Sequence, residues 1–93
     1  MKPKQTTIEG ERDERRRAVC DQIIYRAATM MVGEAGAPVP MMIDRLLTFA
    51  AAQAAANEGS ARAAKLFRQL ADNVERGAFN DLTGENLPPE RRQ

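Results

Sequence analysis

Ninety-three residues with 14 basic and 13 acidic side chains, a formal net charge of +1 and 43% hydrophobic content describe one small domain without global attraction to nucleic acid or anionic lipid. No apolar run reaches the ~20 residues a spanning helix needs, and Met1–Gln5 leads into no apolar segment, so a cytoplasmic protein without membrane contact is expected. Histidine is absent, which removes the usual general base and the commonest metal ligand.

In chain order, residues 1–9 read as a flexible tail holding a helix-start signal: Thr6 with Glu9 three residues later matches a capping box, and Gly10 offers a later start. From about Gly10 to Met31 the apolar residues Val19, Cys20, Ile23, Ile24, Ala27, Met30 and Met31 gather on one side at 100° per residue. Asp21, Gln22, Arg26 and Thr29 stand opposite. Projected backwards, the stripe reaches Arg12 and Arg16, so the first turns are expected to overhang the core. Cys20, the single cysteine, lies on the stripe and reads as a buried structural thiol. Residues 32–39 form a Gly/Pro/Ala connection.

Pro40 suits a first helical turn, and the second helix is expected to run from there to about Asn57. The third runs from about Ala61 to Arg76. Between them Asn57-Glu58-Gly59-Ser60 supplies a left-handed stop at Gly59 and an N-cap at Ser60, and Gly77 repeats the stop. Nine alanines between Ala50 and Ala64 favour close approach of the two helices. Met42, Leu46 and Phe49 form an apolar row beside Ile43, Leu47, Ala50 and Ala54; one row can face the third helix through the alanines while the other needs cover, from the first helix in a monomer or from a second copy in a dimer. Ala63, Leu66, Phe67, Leu70, Ala71 and Val74 form the inner stripe of the third helix. Phe79 and Leu82 read as anchors beyond Gly77, and residues 83–93 as a mobile tail. The expectation is an all-α, three-helix domain over residues 10–82, organised on the helix 2–helix 3 hairpin.

Three function classes meet this pattern. An enzyme is disfavoured: histidine is absent, Cys20 has no implied base, and Glu9, Glu11, Asp13 and Glu14 alternate with Arg12 and Arg15–Arg17 as a self-compensating surface. No cofactor or metal is expected. A helix-turn-helix-like DNA-binding regulator is the second class, using Arg62, Lys65, Gln69 and Arg76 on the outer face of the third helix. Against it, Lys65 and Arg68 fall where that motif buries aliphatic residues, and Asp72 and Glu75 dilute the charge. The third class is a small regulatory protein of sequestering or inhibitory type, in the manner of antiactivators or phage inhibitors, that binds another protein and forms a homodimer. Its expected interface is Met30, Met31, Met42, Leu46 and Phe49 with Arg12 and Arg16, methionine being adaptable to varied surfaces.

Overall fold

A computed structural model describes residues 7–85 and Pro88. It is all-helical, with α1 at Ile8–Gly33, α2 at Val39–Glu58, α3 at Ser60–Glu75 and a single turn, α4, at Asn80–Thr83. No strand occurs among the described residues. The chain divides into two compact units, Met1–Arg45 and Leu46–Gln93, with the division inside α2.

In the first unit, Thr7 caps α1: its Oγ1 accepts the Gly10 N–H at 2.9 Å, which satisfies one of the donors a helix start leaves unpaired. This cap at Thr7 lies inside the window expected between Thr6 and Gly10, and Thr6 itself lies outside the described residues. Helix continues to Gly33, and the reversal is shorter than the 32–39 connection. Ala35 N–H reaches the Met30 carbonyl at 3.0 Å and Ala37 N–H the Met31 carbonyl at 2.9 Å, and the Pro38 carbonyl then accepts from Met41 and Met42 to start α2. The half-buried apolar side chains of this unit, Ala27, Ala28, Met31, Ala37 and Met42, cluster around that reversal. From Glu11 to Arg26 every residue of α1 is exposed. The overhang expected at Arg12 and Arg16 therefore extends much further, past Cys20.

In the second unit α2 and α3 pack together about a one-residue corner at Gly59. Gly59 donates its N–H to the Ala55 carbonyl at 2.9 Å and its carbonyl accepts the Ala63 N–H at 3.0 Å, so both helices terminate on this one residue. Its φ of 88° and ψ of 156° lie in a region open to glycine almost alone. Gly59 itself takes the cap position and Ser60 is the first residue of α3, with no side-chain cap bond, which corrects the expectation of a Ser60 N-cap. The Gly59 peptide already turns the chain, and Ser60 enters helical geometry directly behind it.

Packing at this corner uses small residues. Ala63 is 6% exposed and is the one buried residue among those described; Ala54, Ala55, Ala64 and Phe67 are half-buried around it. Cover fades with distance from the corner, and Leu70 and Val74 farther along α3 are 45% and 56% exposed.

The far end of this unit differs from the sequence reading. Gly77 takes the expected positive φ, 93°, but Phe79 is half-exposed and Leu82 is 84% exposed, so neither is a buried anchor. Residues 80–83 form α4, closed by Gly84 in left-handed geometry with its N–H on the Asn80 carbonyl. Thr83 therefore ends a helical turn and does not open a tail. The expected tails at 1–6 and at most positions beyond 85 lie outside the described residues.

Candidate functional site

Large apolar side chains stand exposed on each of the three long helices. On α1, Val19, Ile23, Ile24 and Met30 stand exposed with Tyr25; on α2, Val39, Met41, Ile43, Leu47 and Phe49; on α3, Leu66, Leu70 and Val74. Scattered exposed aliphatics are ordinary, but rows at helical spacing that leave almost nothing buried mark surfaces to be covered.

The expected interface residues fall in different settings. Met30 is exposed, whereas Met31 and Met42 are half-buried near the α1–α2 reversal. Leu46 is half-buried and Phe49 is 66% exposed. The two rows of α2 are thus not divided as expected: Met42 and Leu46 have partial cover, and it is Ile43, Leu47 and Phe49 that lack it. The reason lies in small-residue packing near Gly59, which holds the two helices together there and leaves Leu47, one heptad before Ala54, exposed.

Arg12 and Arg16 lie on the exposed N-terminal half of α1, where Arg16 pairs with Asp13 at 3.2 Å and Arg15 approaches Glu11 at 3.9 Å. Both pairs are solvated and contribute little. Cys20 is exposed, which overturns its reading as a buried thiol: the stripe it sits on has no cover at that point. Cys20→Ser is accordingly expected to shift stability by less than about 0.5 kcal/mol and to leave activity intact. Thermal melts check the first, and rapid thiol labelling of the folded, unmodified protein checks the exposure.

The candidate nucleic-acid residues Arg62, Lys65, Gln69 and Arg76 are all exposed. Three of them, Arg62, Lys65 and Gln69, line an open hollow on the second unit together with Glu58 and Leu66. Glu58 places a carboxylate in that hollow, and Asp72 and Glu75 lie farther along the same helix. Along α3, Arg62, Lys65 and Arg68 precede Asp72 and Glu75.

Among the described residues no three His, Cys, Asp or Glu side chains are grouped to hold a metal ion, and no helix is long and apolar enough to cross a membrane. No family model matches this chain, and neither does any curated protein or any solved structure.

Proposed function

We propose that this chain is a small non-catalytic, cytoplasmic regulatory protein that acts by binding other proteins through its apolar helix faces, in the sequestering or inhibitory manner, and that it self-associates as a homodimer. One observation carries the reading: Ala63 alone is buried among the described residues, while rows of large apolar side chains stand exposed on α1, α2 and α3. A domain of this length is marginal on its own core even when compact, so faces left open here gain most from a partner. Pull-down from the native host with mass-spectrometric readout, with and without nuclease, tests it. One dominant protein whose recovery survives nuclease is expected. Recovery that vanishes with nuclease, or none beyond the chain itself, overturns the regulator reading.

A DNA-binding regulator is the second reading, favoured by the hollow in which Arg62, Lys65 and Gln69 converge on the exposed side of α3. It predicts a salt-sensitive gel shift that Arg62→Glu with Lys65→Glu abolishes, because phosphate contacts release counterions. Absence of any shift at low salt in the unmodified protein reduces the stripe to a solvated surface.

A further inference from the structure

We propose that the seam of α1 formed by Arg12, Arg16, Val19, Ile23, Arg26 and Met30 docks a helix of the protein that this chain regulates, one whose aliphatic row carries carboxylates at the positions facing the arginines. This rests on the regulator reading above and adds to it the surface and the chemistry of the partner.

The six residues recur at alternating steps of four and three, and at 100° per residue they fall within an arc of about 80°. That spacing follows one side of a straight helix for about 27 Å, the line along which a second helix packs. Val19, Ile23 and Met30 are 52%, 58% and 54% exposed, and the three arginines are exposed as well. Arg12 and Arg26 form no ion pair with another described residue. Arg16 has its bond to Asp13 on the same helix, a solvated pair that a partner's carboxylate can displace at little cost.

Charge decides the occupant. No acid falls within the arc, and Glu14 and Asp21 stand on the opposite side of the helix. A second copy brings the same arginines. Laid parallel, each arginine meets its own counterpart; laid antiparallel with the seams in full overlap, Val19 meets Ile23 and Arg16 meets Arg26, so like charges oppose each other in both directions. Anionic lipid and nucleic acid present broad surfaces that meet the charge of the whole helix, in which five carboxylates balance five arginines. Those carboxylates lie within the ~10–12 Å helix diameter, little more than a Debye length at physiological salt. A helix with carboxylates beside its own aliphatic row touches the cationic side alone. The contact is small, so charge complementarity selects the partner more than area holds it.

Helical peptides of about four heptads serve as probes, with leucine opposite Val19, Ile23 and Met30 and glutamate opposite the arginines, one built for a parallel and one for an antiparallel approach. Fluorescence anisotropy with the full chain is expected to show binding of at least one, weakening as salt is added. Arg12→Glu with Arg16→Glu and Arg26→Glu is expected to raise the dissociation constant about tenfold or more. The triple variant is expected to bind instead the same peptide with lysine in place of glutamate. Arg17→Glu makes the same charge change off the seam and is expected to move binding less than about twofold. Far-UV circular dichroism confirms that each variant folds.

Binding of neither glutamate peptide, or equal binding by the triple variant, overturns the proposal. So does sedimentation equilibrium in which the triple variant alone loses a dimer, which gives the seam to a second copy. Co-sedimentation with phosphatidylserine vesicles that the triple variant loses, without peptide binding, overturns it in favour of lipid. The pull-down from the host separates the two levels of failure. A dominant protein recovered equally by the unmodified chain and the triple variant overturns the seam and leaves the regulator reading standing, whereas recovery of none beyond the chain itself overturns both.

Discussion

Gly59→Val is expected to destabilise the α2–α3 hairpin by about 1–3 kcal/mol, the scale on which residues held in sparsely populated backbone regions are strained. A φ of 88° with a ψ of 156° drives a β-branched side chain into its own backbone, although the space around Gly59 is open. The cost is therefore conformational and not steric contact with a neighbour. Because Gly59 bonds to Ala55 on one side and Ala63 on the other, relaxing its backbone loosens both helix ends. Gly33→Ala is the control: Gly33 lies at the end of α1, at ordinary φ, and a methyl group there also meets open space. That change is expected to stabilise by about 0.5–1 kcal/mol through chain entropy and helix propensity. Thermal melts followed by circular dichroism compare the two. If Gly59→Val melts with the unmodified protein, the corner does not depend on glycine.

Ala63→Leu is the second large effect. Ala63 is where α3 lies tightest in its unit, at 6% exposure, and three added carbons there must push the helix away from its neighbours or take a strained rotamer. Overpacking of this kind costs about 1–3 kcal/mol. Ala61→Leu, two residues earlier and exposed, makes the same chemical change with almost no loss of helix propensity and is expected to be close to neutral. A shift of about 4–8 °C in melting midpoint accompanies each kcal/mol in a domain of this size, so the two variants are readily told apart. Equal melting of both would remove Ala63 from the hairpin contact.

Helix type and position were legible in the sequence because their signals are local. The Gly59 and Gly77 stops, the start near Thr7 and the alanine-rich approach of α2 to α3 depend on backbone conformations and side-chain sizes within a few residues of each other. The N-cap expected at Ser60 was missed by one residue, since adjacent hydroxyls and glycines compete for the same N–H groups. α4 was missed because four residues cannot show a period.

Burial was less legible. Apolar periodicity marks the side of a helix that prefers cover, yet whether cover arrives depends on neighbours distant in sequence. Cys20 sits on the apolar stripe of α1 and is exposed; Leu82 has the side chain of an anchor and is exposed as well. On α2 the wide apolar face was readable as two rows, but which row lies open was decided by contact made through alanines at one end. The local code thus determines that this is an all-α chain with a glycine-cornered hairpin. Only tertiary structure shows that α3 is covered beside Gly59 and open along Leu66, Leu70 and Val74, because small side chains hold two helices close at one point and cannot fill the space between them farther on.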